Sequence, residues 1–179
     1  MRKYAERLKS ERGFTLIEMI AAMTLFSLIV GMISVVTMFG IRSYHKITIE
    51  NSLRDEADII MSSIMNELYT FSPEIVENTA DGILLKKTRE GAADEVVKVA
   101  FAQGQLVIGA QAAAPDPDDP RTAVHSSLSG SGISSSAADG RAPQISFPYE
   151  SGLIHISLKL AQEYDGRTYT MELKSKFGF

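Results

Sequence analysis

Glu18 is the residue with the clearest chemical requirement in this chain of 179 residues. It lies directly before an apolar run, since no ionisable residue occurs from Met19 to Ile41. A carboxylate carried into hydrocarbon costs about 2.5 to 3.5 kcal/mol, so an acid in such a place indicates a function and requires a cationic partner. The alternative without a function is a carboxylate that extends to the water interface beside a lone anchor helix.

The residues before Glu18 suggest how such a cation can arise. Cleavage of the chain after Gly13 gives Phe14 a free α-amine, which has a pKa of about 8 and is cationic at neutral pH. Phe14 precedes Glu18 by four residues, which is one helical turn. Gly13 suits a cleavage point because a residue without a Cβ lets a protease approach the backbone closely.

Residues Gly13 to Glu18, with basic residues before them and an apolar stretch after them, resemble the amino terminus of type IV pilins and of the pseudopilins of type II secretion and competence systems. The resemblance implies cleavage after Gly13 by prepilin peptidase, N-methylation of Phe14, and pairing of Glu18 with the amine of a neighbouring subunit. It implies other pilin or pseudopilin subunits, an assembly platform and the membrane as further partners. Two features of many major pilins are missing: a proline near the place of Val35 and a disulfide that closes a carboxy-terminal loop.

The apolar run has the length of a transmembrane helix. At about 1.5 Å per residue, a helix from Met19 to Ile41 reaches roughly 34 Å, which is enough to cross the hydrocarbon core. Residues 1–13 carry five basic and two acidic side chains, and a positive flank stays on the cytoplasmic side. We therefore expect a single-pass cytoplasmic membrane protein with its amino terminus inside and its carboxy-terminal domain outside. A secretory signal peptide fits less well, because its apolar region is shorter and ends at a small-residue cleavage site.

The helix is predicted to continue beyond the span as an amphipathic segment over residues 42–72. Its apolar residues recur at helical spacing between charged ones. They are Ile49, Leu53, Ile60, Ile64 and Leu68. Pro73 ends the pattern because the residue before a proline is disfavoured in the α region. Tyr69 and Phe71 are predicted to be core aromatics.

An antiparallel β-sheet is predicted over residues 78–179, so the fold class is α+β, with the second half of the long helix packed on the sheet. The alternation is clearest in two runs separated by Asp165 and Gly166, a strong hairpin signal. The predicted strands cover residues 83–88, 95–101, 105–108, 154–160 and 169–177, with a weaker edge strand over 144–149. Residues 110–143 are rich in Pro, Ser, Gly and Ala, which predicts a long flexible loop.

Composition and spacing exclude several chemistries. The chain has no cysteine, so no thiol can act as a nucleophile or a metal ligand. The spacing of its three histidines indicates neither a metal site nor a catalytic triad. The acidic group of Asp116, Asp118 and Asp119 supplies too few oxygens for calcium and is interpreted as a solvated loop. We predict no cofactor, no metal and no enzymatic activity.

A basic group on the last two predicted strands is the remaining candidate binding surface. Its members are Lys159, Arg167, Lys174 and Lys176. On one face of the hairpin they could contact DNA phosphates if the chain serves a competence system. The favoured interpretation is an ordinary solvated strand face that also discourages edge pairing, because the chain without its basic residues 1–13 is acidic.

The favoured hypothesis is a structural minor pilin or pseudopilin of a type IV pilus, a type II secretion system or a competence filament. Its predicted domains are a cleaved basic leader over 1–13, a transmembrane and assembly helix over 14–41, the amphipathic continuation over 42–72, and a β domain over 78–179. The alternative is an uncleaved single-span membrane protein whose exported domain binds a ligand or a surface.

Overall fold

The computed structural model describes residues 14–89, 91, 93–116, 118–137 and 143–179. The chain divides into two compact units, of which the first ends at Lys46 and the second runs from Ile47 to Phe179. Helix α1 begins in the first unit and ends in the second, and the strands of the described residues all belong to the second unit. The predicted α+β class, a long amino-terminal helix followed by antiparallel strands, is confirmed.

Helix α1 runs from Leu16 to Phe71. No proline interrupts this stretch, whose first part is apolar and whose later part is amphipathic. The helix ends at Phe71, as predicted. Ser72, directly before Pro73, adopts a φ of 49°, which is outside the range of a right-handed helix. The Ser72 N–H still donates to the carbonyl of Leu68 at 3.1 Å, which closes the last helical turn.

The part of α1 that lies in the second unit buries one face. All five residues of the predicted apolar stripe are buried, together with Glu56, Ala57 and Phe71. The stripe joins one hydrophobic core cluster with residues of the strands. Tyr69 was wrongly predicted to be a core residue, because its side chain is 72% exposed. A helix turns about 100° per residue, so Tyr69 cannot share the inward direction of Leu68 before it.

Eight strands follow the helix within the described residues. They are β1 Ile75–Asn78, β2 Gly82–Lys87, β3 Glu95–Ala102, β4 Gln105–Gly109, β5 Gly132–Ser136, β6 Pro148–Tyr149, β7 Leu153–Tyr164 and β8 Arg167–Gly178. The first sheet has the order β4-β3-β2-β1-β6, and each neighbouring pair is antiparallel. Apolar residues meet across its strands, as where Ile83 faces Val99.

The second sheet has the order β5-β7-β8. Strands β7 and β8 pair along their whole length, from Leu153 opposite Gly178 to Tyr164 opposite Arg167. Asp165 and Gly166 connect them with φ values of 50° and 69°, which are the two positive values of a type I′ turn. The predicted hairpin is therefore confirmed.

The structure differs from the sequence-based expectations in four ways. The described residues form two antiparallel sheets rather than one. Strand β1 was not predicted, and the weak strand predicted over 144–149 is reduced to β6, which pairs with β1 at the edge of its sheet. Strand β5 lies inside residues 110–143, which were predicted to be a flexible loop, because pairing with β7 orders it despite its serine-rich sequence.

Hydrogen bonds of the Asn78 side chain connect the two sheets. The side chain is buried at the end of β1. The Nδ2 group donates to the carbonyls of Ser135 at 2.8 Å and Gln144 at 3.0 Å, and Oδ1 accepts the N–H of Ser135 at 2.6 Å. All of the amide's hydrogen-bonding groups are thus used, and the amide takes the place of a neighbouring strand beside β5.

The segment before β5 is fastened to α1 at several points. The buried Glu56 carboxylate accepts the N–H of Ser126 at 2.9 Å and also its hydroxyl. Ser63 donates to the carbonyl of Arg121 at 2.6 Å, and the Arg121 guanidinium lies 3.9 Å from the carboxylate of Glu67. These contacts explain why part of a segment with the composition of a loop packs against the core.

Candidate functional site

The amino-terminal end of α1 is built by Thr15 and Glu18. The Glu18 Oε2 atom accepts the N–H and the hydroxyl of Thr15, both at 2.9 Å. In return, the Glu18 N–H donates to the Thr15 hydroxyl at 3.3 Å. Thr15 is therefore the N-cap residue and Glu18 the third helical residue of a capping box. The capping role of Thr15 was not predicted from the sequence, although a Thr followed three residues later by Glu is the signal of this motif.

The cap defines what the predicted site residues can do. Because α1 begins at Leu16, Phe14 precedes the N-cap residue and does not lie one helical turn below Glu18. Phe14 is 80% exposed. Both hydrogen bonds from Thr15 end on Oε2 of Glu18, and no described residue donates to Oε1. Gly13, the predicted cleavage point, lies outside the described residues.

The first part of α1 exposes its apolar side chains in all directions. Every residue from 14 to 42 is exposed in the described structure. Among the described residues, α1 is the one helix that is long and apolar enough to cross a membrane by length and composition. This finding agrees with the predicted span from Met19 to Ile41.

Three polar side chains within the apolar run bond to the backbone of their own helix. The hydroxyls of Thr24, Ser34 and Thr37 donate to the backbone carbonyls of Ala21, Val30 and Ile33, each at 2.9 Å. A hydroxyl bonded in this way leaves no unpaired donor in hydrocarbon, where an unsatisfied polar group is costly. The helix surface is therefore compatible with lipid even at these three positions.

The basic group of the last hairpin is only partly assembled on one face. Lys159 lies opposite Glu172, and Lys174 and Lys176 follow at alternate exposed positions of β8. Arg167 is the first residue of β8, and its odd number places it on the other face. The Lys174 ammonium lies 2.8 Å from the Glu172 carboxylate and holds the pKa of that carboxyl below its usual range, with Lys159 adding to the effect.

A serine and a histidine meet on the second sheet. The Ser136 hydroxyl lies 2.9 Å from Nε2 of His155. A nucleophilic serine also needs a carboxylate that orients the histidine. In the part of the chain that the structure describes, no carboxylate forms a hydrogen bond with His155. This pair therefore has the geometry of a polar contact between β5 and β7.

The acidic group predicted as a solvated loop makes its contacts locally. Asp119 accepts hydrogen bonds from the Arg121 guanidinium at 2.7 to 3.2 Å, which lower the pKa of the Asp119 carboxyl. Asp116 accepts the N–H of Asp118 at 3.0 Å. Within the described residues, no group of three or more acidic or histidine side chains could hold a metal ion.

Comparison with protein families identifies the amino-terminal region. Residues 8–34 match the family described as the prokaryotic N-terminal methylation motif. Comparisons with curated proteins and with solved structures gave no match. The matched residues include Gly13, Phe14, Thr15 and Glu18 and the first part of α1. The chain therefore carries, at the start of a long apolar helix, the N-terminal methylation motif that is the signature of type IV pilins and pseudopilins.

Proposed function

We propose that the chain is a structural minor pilin or pseudopilin subunit, processed after Gly13 and assembled through α1 into an envelope filament. The filament belongs to a type IV pilus, a type II secretion system or a competence system. Its partners are other pilin or pseudopilin subunits, prepilin peptidase, the assembly platform and the membrane. The contribution of the chain is mechanical rather than catalytic.

The observation that carries the proposal is the exposed apolar helix that begins within the methylation motif. Large side chains such as Met23, Phe26 and Phe39 are 69%, 69% and 73% exposed. Burial of one such side chain is worth about 1.5 to 3 kcal/mol, so this surface requires an apolar environment. Lipid provides it before assembly, and the helices of neighbouring subunits provide it afterwards. A simple membrane anchor needs lipid alone. The methylation motif supports the further step, in which the helices of neighbouring subunits replace the lipid.

Processing and location follow from the same region. The basic leader over 1–13 stays on the cytoplasmic side, and the second unit lies outside the cytoplasmic membrane. Prepilin peptidase cuts after Gly13, and the new amine of Phe14 is methylated. The processed subunit then leaves the bilayer for an extracytoplasmic filament.

Glu18 is assigned the assembly role. Oε2 holds Thr15, which fixes the carboxylate before a partner arrives, and Oε1 is the oxygen that accepts the Phe14 amine of a neighbouring subunit. A side chain already held in one rotamer loses less conformational entropy when it binds. The capping box thus supports the proposed pair rather than competing with it.

The first test is intact-mass and amino-terminal analysis of the protein extracted from membranes. We expect a chain that begins at Phe14 and carries about 14 Da from one methyl group. Gly13→Val should prevent cleavage because a branched side chain obstructs the protease, whereas Gly31→Val, within the span, should leave cleavage unchanged. A wild-type chain that retains residues 1–13 would contradict the proposal and favour the uncleaved single-span protein with a binding domain.

The second test separates assembly from processing. Glu18→Gln should be cleaved normally but lose about tenfold or more of its incorporation into filaments, since the loss of 1.4 kcal/mol already reduces binding tenfold. Asp58→Asn, which changes an exposed acid in the second unit, is the matched control and should assemble normally. Thr15→Val removes the cap and keeps the carboxylate, so its defect should be smaller. Normal incorporation of Glu18→Gln would refute the assigned role.

A further inference from the structure

Strand β8 is a long, regular edge strand. Within the described residues, its one strand neighbour is β7. The two strands pair without interruption over all 12 residues of β8, so no bulge disturbs the edge. No proline occurs in it. An edge of this kind presents a row of backbone groups that can pair with another strand.

The register shows which groups face outward. Phe179 and Gly152 exchange two hydrogen bonds of 3.2 Å across the β7–β8 pair. Hydrogen-bonded and non-hydrogen-bonded pairs alternate in an antiparallel ladder, so the odd-numbered residues of β8 bond to β7. The even-numbered residues from Thr168 to Gly178 therefore direct their N–H and C=O groups away from the sheet.

The remaining sheet edges are shorter or blocked. Strand β4 has five residues, and β6 consists of Pro148 and Tyr149. On β5, the side chain of Asn78 occupies both the N–H and the carbonyl of Ser135. Proline and side-chain cover of this kind discourage pairing with another chain. In the described structure β8 has neither a proline nor a side chain bonded to its outward backbone groups. Its edge carries Lys174 and Lys176, and such charges discourage pairing except where the partner strand places a carboxylate opposite them.

The inner face of β8 is incompletely covered. Ile154, Ile156, Leu158 and Leu160 on the neighbouring β7 are at most 1% exposed. The apolar residues of β8 are only partly buried, although they pack against the same core. They are Tyr169, Met171, Leu173 and Phe177. These side chains are partly exposed at the edge of β8 that faces away from β7. A further strand beside β8 would cover them there.

The outward edge of β8 is complementary to itself. In an antiparallel pair centred on Leu173, Glu172 of each copy lies opposite Lys174 of the other, and Thr170 lies opposite Lys176. Opposite charges in directly facing positions stabilise a strand pair, and like charges destabilise it. A centre at Glu172 places the two Glu172 carboxylates opposite each other. A centre at Lys174 faces Glu172 with Lys176 but places the two Lys174 ammonium groups opposite each other, whereas the centre at Leu173 creates no like-charged pair. The register at Leu173 also lies at the middle of the strand, so it pairs β8 along its full length.

We propose that two copies of this chain associate by antiparallel pairing of β8 with β8, about a two-fold axis at Leu173. The contact joins two three-stranded sheets into one six-stranded sheet. It places Tyr169 opposite Phe177 and Leu173 opposite Leu173 on the inner face, where they extend the apolar row. An interface of this symmetry closes as a dimer, so filament growth uses a different surface, and the pairing does not depend on cleavage after Gly13.

The central test is Leu173→Cys in the full chain, which has no cysteine of its own. Two residues facing each other in a non-hydrogen-bonded pair have Cα atoms about 4.5 Å apart, which lies within the disulfide range of about 4.4 to 6.8 Å. With an added mild oxidant, we expect a disulfide-linked homodimer in membranes and in detergent. The matched control is Thr168→Cys on the same strand. In this register the two Thr168 positions are separated by ten residues, about 33 Å, and should not crosslink.

A charge test does not rely on the partly buried Leu173. Lys174→Glu places carboxylates opposite each other at two points and should lower the dimer fraction about tenfold in chemical crosslinking of the otherwise native chain. The double variant Glu172→Lys with Lys174→Glu restores opposite charges across the axis and should recover dimer formation. Melting temperature and circular dichroism show that each variant is folded.

The outcomes decide the proposal directly. A Leu173→Cys homodimer, no Thr168→Cys dimer and recovery in the double variant support it. A folded Leu173→Cys protein that stays monomeric, or that crosslinks only to a different protein, overturns it. Loss of processing would leave the crosslinking result unchanged, so failure of this inference is distinguishable from failure of the proposed filament role.

Discussion

Helix α1 contains two regions that have the same secondary structure and different surroundings. Residues 14–42 are exposed throughout and apolar on every side. The later part buries one stripe, in which Leu53, Ile60 and Ile64 are at most 1% exposed, and leaves charged residues outside. A stripe is what a helix needs to pack on a sheet. A helix that is apolar on every side requires an apolar environment around it.

The two regions also hold their carboxylates differently. Glu18 is exposed and bonded to Thr15, three residues away. Glu56 is 7% exposed and bonded to Ser126, 70 residues away. The first carboxylate caps a helix end, and its Oε1 atom accepts no hydrogen bond from a described residue. The second is enclosed by the fold and binds a distant segment, so the position of an acid on the helix decides whether its contacts are local or long-range.

The largest expected difference between the regions concerns apolar side chains. Ile60→Ala removes a fully buried side chain and should lower the free energy of unfolding of the second unit by about 2 to 5 kcal/mol. Ile29→Ala, at a residue that is 51% exposed, is the matched control and should leave this value unchanged. Thermal and denaturant unfolding of the full chain in detergent measures both. Equal losses would mean that the first part of α1 also stabilises the core.

The carboxylates provide the second difference. Glu56→Ala leaves the N–H and hydroxyl of Ser126 buried without their acceptor, which should cost about 1 to 3 kcal/mol. Glu56→Gln keeps the volume and one oxygen acceptor, so its loss should be smaller. Glu18→Ala should not change the stability of the second unit. The same unfolding measurements apply, and an unchanged stability of Glu56→Ala would show that Ser126 finds another acceptor.

The smallest effect is expected from Asp119 and its pH dependence. Arg121 lowers the pKa of Asp119 in the folded chain, so the carboxylate stabilises the fold above its unfolded pKa of about 3.9 and loses this effect as pH falls through the folded pKa. Asp119→Asn should therefore be less stable than wild type by under about 1 kcal/mol at pH 7. The difference should disappear near pH 2, and melting curves at both pH values test this. A difference that persists at low pH would exclude the charged pair as its cause.

Periodicity predicted the helix well. The apolar spacing identified the buried stripe, and Pro73 identified the end of α1 at Phe71. Both depend on local backbone geometry, which the sequence encodes within a few residues. Tyr69 shows the limit of composition alone, because an aromatic side chain beside two buried positions is exposed when the helix turns it outward.

The sheets were less predictable because several contacts are distant in sequence. Strand β5 contains one large apolar residue, Ile133, and depends on β7 and on Asn78 for its order. Asn78 itself lies before residue 83, where the first predicted strand began. Local propensity does not determine whether a serine-rich segment has a strand to pair with, since pairing and burial override it.

The candidate site was predicted in part. The types of Gly13, Phe14 and Glu18 indicated the pilin signature, and the match over residues 8–34 supports that interpretation. Their individual roles stay predictions. The cap by Thr15 was missed because Glu18 was considered only as the partner of a cation from another chain, although a carboxylate can accept several hydrogen bonds at once.

The hydroxyls of Thr24, Ser34 and Thr37 bond to carbonyls of their own helix, so these three groups already have their hydrogen-bond partners. In the proposed filament role, a subunit that moves from lipid into a filament exchanges one set of hydrocarbon neighbours for another, and these three groups need not change partners on the way. Under that proposal the transfer breaks none of these three polar contacts, and its free energy depends on packing and on the Glu18 carboxylate.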